Sequence, residues 1–415
     1  MDVDERRVSY RDVLGVREFR AIWGALLLSR LGDQLAAVAI SLLVYERTGS
    51  PLLTAATYAV TFLPAIIGGP CLAGLADALP RRGLMVGCDL ACALLVAVMA
   101  IPGTPVAVLL PLLFVVALVE APFTAARAAT TADVLRGERY VVGSSLVSIT
   151  SEAAQVLGFL LGGAAVLLVG TQGALLLDAL TYGASAVLLR TLRPRPVAAG
   201  KPPRLRVLVR RASGLRAGGR LVLGDPVLRR LASLAWLSAA YVVPEALAVP
   251  LAEEYGGGRL AVGVLLAANP AGTVLASVVL ARWVRPARRM RLMAPLAVAA
   301  CLPLLAFALP LSWPAAAALL VVSGAGSSYN LPANAAFVAA VPDRLRGSAF
   351  GIVSAGLAGG QGLALLLAGA AAELLPPGAV IAAFGGLGTL VALHLGRGAA
   401  GRPARAWRLP AAELP

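Results

Sequence analysis

Long apolar runs, separated by short polar breaks, fill almost the whole chain. A bilayer-spanning helix needs about 20 mainly apolar residues. Twelve runs answer to that description, at 20–45, 53–76, 84–102, 105–126, 141–169, 172–190, 228–252, 259–281, 292–311, 314–340, 348–373 and 378–396. The breaks carry turn formers: Gly49-Ser50-Pro51, Pro102-Gly103, Thr171 to Gly173, Gly256 to Gly258, and Pro376-Pro377. The pattern predicts an all-α integral membrane protein with 12 transmembrane helices. Met1 to Glu18 is mixed-charge and polar, with no apolar core and no small-residue cleavage site, so no secretory signal is expected.

Composition agrees. The chain has 415 residues, 59% hydrophobic and 14% charged, with a mean hydropathy of +0.84. A soluble domain carries about 25% charged residues. Charge then orients the helices, because cytoplasmic loops keep the Arg and Lys. With the N-terminus placed inside, only Arg47 and Arg259 of the 36 basic residues fall outside, and Arg30 lies within the first span. The net charge of +15 is therefore read as inner-leaflet charge, not as a nucleic-acid patch. Both termini are expected in the cytoplasm. The high Ala, Arg and Gly content with a single lysine, Lys201, points to a GC-rich bacterial genome and hence to a bacterial inner membrane.

Six spans precede the polar stretch 191–227 and six follow it. The expected organisation is an N-terminal six-helix half at 1–190, a basic cytoplasmic linker at 191–227, a C-terminal half at 228–396 and a tail at 397–415. Residues 204–223 have the pattern of a basic amphipathic helix lying on the inner leaflet. The halves echo each other. Pro122–Gly137 and Pro332–Gly347 both end Asp-x-Leu-Arg-Gly, with the same spacing from Pro to Asp. Leu161-Gly-Gly-Ala-Ala is matched by Leu367-Ala-Gly-Ala-Ala. Two parallel six-helix repeats joined by a linker are a transporter layout.

A charge at the bilayer centre costs at least about 2.5–3.5 kcal/mol on insertion scales, so each one asks for a reason. Arg30 and Asp33 lie three apart and share a face of the first span. Glu120 and Arg127 share a face of the fourth span, Glu152 and Gln155 lie in the fifth, and Asp178 lies in the sixth. Asp33, Glu120, Glu152 and Asp178 are candidate proton-coupling acids, with Arg30 and Arg127 as charge partners. The plainer alternative for each is a structural ion pair or interhelical hydrogen bond. The second half is mostly neutral in its polar groups, with Asn269, Asn330, Asn334 and Gln361, plus Glu245 and Glu373. That asymmetry assigns protons to the first half and substrate lining to the second. Tyr58, Phe62, Gln155, Trp236 and Tyr241 join the asparagines and Gln361 as candidate cavity residues. Gly158, Gly162 and Gly163 form a small-residue face for close helix packing.

Several stretches carry a family resemblance. Ser29-Arg-Leu-Gly-Asp33, Leu43 to Ser50, Leu63-Pro64 and Gly68-Gly-Pro70 resemble the opening of the macrolide-efflux and enterobactin-exporter branch of the major facilitator superfamily. The loop Gly74-Leu-Ala-Asp77-Ala-Leu-Pro-Arg81-Arg82 resembles the superfamily's motif between spans 2 and 3, and Pro342 to Gly347 its counterpart between spans 10 and 11. Gly158 to Gly163 is similar to the antiporter motif of span 5. The resemblance covers residues 18–396 and implies the major facilitator fold of two pseudo-symmetric six-helix bundles. It implies an inner gate built from Gly74, Asp77, Arg81, Arg82, Asp89, Asp343, Arg346 and Gly347. The chain departs from the pattern at Ala78 and Cys92, where Arg is usual, at Pro80 for Gly, and at Phe159 for Pro. Arg81, Arg82 or Arg127 would have to replace the missing cations, or the gate is less strongly latched.

Other chemistries find little support. No phosphate loop is visible. His394 is the only histidine, so neither a His-based metal cluster nor a catalytic triad can be assembled, and the four cysteines suggest no disulfide. No enzyme activity, cofactor, metal or nucleic-acid partner is expected. The reading is a monomeric secondary transporter, exporting a small amphipathic compound such as a drug, antibiotic or secreted metabolite against protons, in contact with membrane lipid. The alternatives are export of a siderophore-like anion, solute uptake, and a non-transporting scaffold or sensor.

Overall fold

The structure is a computed structural model that describes residues 9–72, 79–194, 218–342 and 345–400. Among the described residues all regular structure is helical. The elements are α1 (Tyr10–Leu14), α2 (Arg17–Thr48), α3 (Pro51–Leu72), α4 (Arg81–Met99), α5 (Val106–Val134), α6 (Glu138–Arg190), α7 (Pro226–Trp236), α8 (Ser238–Tyr241), α9 (Val243–Ala246), α10 (Ala248–Glu254), α11 (Gly258–Trp283), α12 (Pro286–Cys301), α13 (Trp313–Ser327), α14 (Asn330–Ala340), α15 (Arg346–Ala372) and α16 (Pro377–Ala400). A 3-10 segment, Leu302–Ala308, extends α12. The stretch 218–224 is also helical. Residues 204–217 of the expected amphipathic helix lie outside the described residues.

Among the described residues eight helices are long and apolar enough to cross a membrane, and a pair bent by 47°, Pro226–Ala246 with Ala248–Glu254, makes a ninth. Helix α6 has 53 residues, about 80 Å at 1.5 Å per residue, far more than one bilayer crossing needs. It is broken at Gly170, with φ 75° and ψ 175°. An L side chain rarely adopts that conformation, so glycine there lets the chain turn between the expected fifth and sixth spans. The expected tenth span is likewise interrupted, between α13 and α14. Outward faces are apolar, with Leu168 82%, Leu180 68% and Leu94 67% exposed, as expected where lipid is the solvent.

The chain divides into two compact units. The first contains Met1–Leu43 and Ile67–Pro203, the second Val44–Ile66 and Arg204–Pro415. The tip of α2 and most of α3 thus pack with the second unit. Within the first unit, α4 packs on α5 and α6, around a core that includes Ile22, Met85, Phe123 and Leu189. Helix α2 crosses α6 at three glycines. A Cβ on Gly158 would lie 2.6 Å from Gln34 Cβ, one on Gly162 2.9 Å from Val38 Cγ2, and one on Gly32 2.1 Å from Thr181 Oγ1. Such close approach is how helices associate in lipid, where dispersion rather than the hydrophobic effect holds them together. Gly163 is buried on the same helix.

In the second unit, α11 and α13 meet at Gly272 and Gly324, where a Cβ would lie 2.0 Å and 1.9 Å from the backbone oxygens of Val321 and Asn269. Ala55 and Ala59 of α3 pack with Val242, Ala246 and Leu365, with Tyr58 and Phe62 against that cluster. Two polar ties hold the same segment. Arg259 lies 2.9 Å from Glu46. Glu373 accepts hydrogen bonds from Ser50 Oγ at 2.5 Å and from the Leu52 backbone N–H at 3.0 Å.

Candidate functional site

Four helices of the first unit converge their charged residues on one small cavity. Helix α2 supplies Arg30 and Asp33, α4 supplies Asp89, α5 supplies Glu120 and Arg127, and α6 supplies Tyr182. The cavity measures ≈ 10 Å³, room for about one water. Its apolar walls include Leu26, Cys92 and Phe123.

Tyr182 sits at the centre. Its hydroxyl lies 2.7 Å from Asp33 Oδ1 and 3.1 Å from Glu120 Oε1, and so joins α6 to α2 and α5 together. The other Asp33 oxygen faces Arg30 across 3.7 Å. That pair is i,i+3 on one helix, the spacing that brings side chains together. Asp89, 2% exposed, accepts a hydrogen bond from Ser185 Oγ at 2.5 Å. Cys92 stands where the superfamily motif has Arg, and the hydroxyl of Ser185 takes up one acceptor site of the carboxylate. Arg127 Nη1 is buried and has no hydrogen-bond partner among the described residues. Asp33, Asp89 and Glu120 thus line the same small cavity as Arg30 and Arg127.

The remaining candidates of the first half fall elsewhere. Asp178 is 1% exposed and lies one turn before Tyr182. It hydrogen-bonds Thr181 Oγ1 at 3.3 Å beneath Gly32, outside the cavity lining. Glu152 is exposed and Gln155 half-buried on α6, also away from that lining. Of the gate residues, Gly74, Asp77 and Asp343 lie outside the described residues. Arg81, at the start of α4, forms an ion pair with Asp133 at 2.5 Å, while Arg82 is half-buried beside it. Arg346 and Gly347 open α15.

In the second unit the polar candidates are hydrogen-bonded across helices. Asn330 donates to Tyr241 Oη at 3.0 Å, and Tyr241 stands 3.4 Å from Tyr329 Oη. Gln361 donates to Ser238 at 3.1 Å, Asn269 to Ser323 at 3.4 Å, and Trp236 to the Val353 carbonyl at 3.0 Å. Asn334 is exposed on α14. Tyr182, Thr181 and Ser185 escaped the sequence reading, and Asp133 entered it only as the acid of the internal repeat. The first three had a signal: with Asp178 they form a polar stripe at i, i+3, i+4 and i+7 of an otherwise apolar helix.

A helical membrane protein with a charged cluster inside one of its units has the makings of a transporter. A family model described as Major Facilitator Superfamily matches residues 22–245 and 231–413. The chain belongs to that superfamily. No curated protein matches it. Solved structures of similar fold include a point mutant of the nucleoside transporter NupG, 17% identical with a TM-score of 0.70, covering 92% of this chain and 98% of that one. They also include the peptide transporter POT in complex with sulfate, 15% identical with a TM-score of 0.71, covering 95% and 96%. A POT family transporter in complex with 5-aminolevulinic acid is 11% identical with a TM-score of 0.70, covering 91% and 95%. At these identities the likeness is one of fold.

Proposed function

We propose that the protein is a proton-coupled exporter of a small amphipathic organic compound, working by alternating access in a plasma membrane with both termini in the cytoplasm. The observation that carries the coupling is Tyr182 placed between Asp33 and Glu120. With three carboxyl groups facing two guanidinium groups, the cluster reaches charge balance by holding one proton. Uptake of that proton from outside accompanies substrate release, and its loss to the cytoplasm resets the cycle. Gly158 and Gly162 fit the role of a tight seam that resists leak. Asp178 and Glu152 are accessory acids, and the neutral polar groups of the second unit line the substrate path.

A second reading is transport, outward or inward, of a compound bearing an anionic group. The Arg127 Nη1 that lacks a partner among the described residues favours it, since a buried guanidinium is a natural carboxylate ligand.

The test is substrate-dependent proton movement in proteoliposomes loaded with a pH dye. Lipophilic cations, macrolides and anionic siderophores are screened, with Asp33→Asn run beside the wild type. Proton flux with one compound class, lost in the variant, supports antiport and names the class. Compound movement with no proton flux removes the coupling reading. An anion-only profile favours the second reading.

A further inference from the structure

The second unit carries an apolar groove that shares only Trp236 with the candidate substrate-lining residues. Its volume is ≈ 320 Å³, at the lower end of the roughly 300–1,000 Å³ of ligand pockets. Trp236, Ala239 and Ala240 form one side; Phe384, Leu387 and Val391 of α16 form the other. Ser233 is the one hydroxyl in the lining, and it donates to the Arg229 carbonyl of its own helix at 2.9 Å. Leu387 is 61% and Val391 39% exposed, so the groove opens on an apolar outer face. Its floor is rigid. A Cβ on Gly388 would lie 2.7 Å from Ala240 Cβ and 2.8 Å from Cys301 Sγ, and the Trp236 ring is tethered to the Val353 carbonyl.

One end of the groove is basic. Arg229 lies one turn before Ser233 on α7 and His394 one turn beyond Val391 on α16, whereas Arg397, six residues beyond Val391, is rotated about 120° from it and stands off the groove face. All three are exposed. At 1.5 Å per residue they stand about 4–9 Å past the end of the apolar lining. Arg230 donates to the Leu395 carbonyl and ties the two helices at this mouth. Among the described residues the groove lining holds no acidic residue; Asp225, one turn before Arg229, is engaged as the N-cap of α7 by the Val227 and Leu228 N–H groups, and Nη1 of Arg229 donates to the Leu223 carbonyl at 3.0 Å.

We infer that this groove binds an anionic phospholipid from the leaflet on the basic side, with an acyl chain along Trp236 and Leu387 and the phosphate against Arg229. Charge selects the occupant. A purely apolar cleft would take any lipid tail, whereas a basic mouth favours an anionic head group. The inference stands apart from the proton-coupled export reading and needs neither its acids nor its direction.

Trp236 is itself the reporter. Trp23, Trp283, Trp313 and Trp407 are replaced by Phe, and the protein is reconstituted with brominated phosphatidylglycerol or brominated phosphatidylcholine in an unbrominated background. The expected result is half-maximal quenching at a mole fraction about fivefold or more lower for the glycerol lipid, one arginine's contribution being enough for that ratio. Arg229→Gln brings the two lipids to parity, and Ala239→Leu, which fills the groove, weakens quenching by both. Arg229 is exposed, so matched thermal melts keep the comparison interpretable. Equal quenching by the two lipids in the parent, or a preference that survives Arg229→Gln, would overturn the inference. Quenching relieved by tetraphenylphosphonium but not by unbrominated phosphatidylglycerol would assign the groove to a transported compound instead.

Discussion

Tyr182 stands within hydrogen-bond distance of both Asp33 and Glu120, at 2.7 and 3.1 Å. A phenol has one hydrogen to donate. When it points to Asp33, the contact with Glu120 is favourable if Glu120 carries a proton and donates to the phenol oxygen. When the proton moves, the hydroxyl can turn to the other carboxylate. In the proposed proton-coupled cycle the tyrosine would register where the proton sits, and its hydroxyl links α2, α5 and α6.

Replacing Tyr182 with Phe removes that link while keeping the ring in its packed site. A hydrogen bond to a charged group is worth about 1.5–3 kcal/mol. Substrate-driven proton flux should fall by about tenfold to a hundredfold, while detergent-solubilised protein keeps its helical circular dichroism. Unchanged proton stoichiometry and rate in Tyr182→Phe would remove the tyrosine from the coupling path.

Ser185→Ala tests the neighbouring acid. Asp89 is buried and Ser185 is its hydrogen-bond donor at 2.5 Å. Leaving a buried polar group without its partner costs about 1–3 kcal/mol. The apparent Tm should drop, and Asp89→Asn in the Ser185→Ala background should recover part of the loss. A double variant no more stable than Ser185→Ala alone would show that this bond carries little of the packing of α4 on α6.

Much of this was legible beforehand, for physical reasons. Lipid allows only closed hydrogen bonding, so hydropathy and turn residues gave an all-helical membrane fold, and α6 breaks at Gly170, beside the predicted Thr171–Gly173 turn. The costly charges Arg30, Asp33, Glu120 and Arg127 announced themselves by rarity, and the structure brings all four to one cavity. What sequence could not supply was rotation and depth. Asp178 and Glu152 were also candidate intramembrane acids, yet neither lines that cavity. Tyr182 and Ser185 are ordinary helix residues until the crossing of α2 over α6 points them at acids. The tie of Glu373 to Ser50 joins residues more than 300 positions apart in sequence, and no local pattern encodes it.

The glycine seam makes a sharper forecast. Gly158→Ala puts a methyl 2.6 Å from Gln34 Cβ and 3.1 Å from the Leu31 carbonyl oxygen, and backbone cannot move aside cheaply. Overpacking of this kind costs about 1–3 kcal/mol. Gly87, inside α4, has nothing within 4 Å of its ideal Cβ. Gly87→Ala should instead stabilise by up to about 1 kcal/mol, through helix propensity alone. Thermal melts of the two variants should move in opposite directions. A common direction would mean that α2 and α6 do not approach as closely as described.

The two ties on the Val44–Ile66 segment should respond differently to salt. Glu46 and Arg259 are 42% and 44% exposed, and exposed pairs contribute about 0.2–1 kcal/mol, screened over roughly 3 Å at 1 M salt. Glu373 acts through hydrogen bonds at short range, to the hydroxyl of Ser50 and the backbone N–H of Leu52 in the first turn of α3. That N–H is one of the orphan donors of a helix start, and losing a cap costs about 0.5–2 kcal/mol. Hydrogen exchange of residues 44–56 should therefore accelerate in both Glu46→Gln and Glu373→Ala at low salt. At 1 M salt the Glu46→Gln difference should vanish, because the wild-type pair is then screened as well, while most of the Glu373→Ala difference should persist. If both differences vanished together, Glu373 would be acting as a charge rather than as a cap, and the tether of α3 to α15 would be electrostatic.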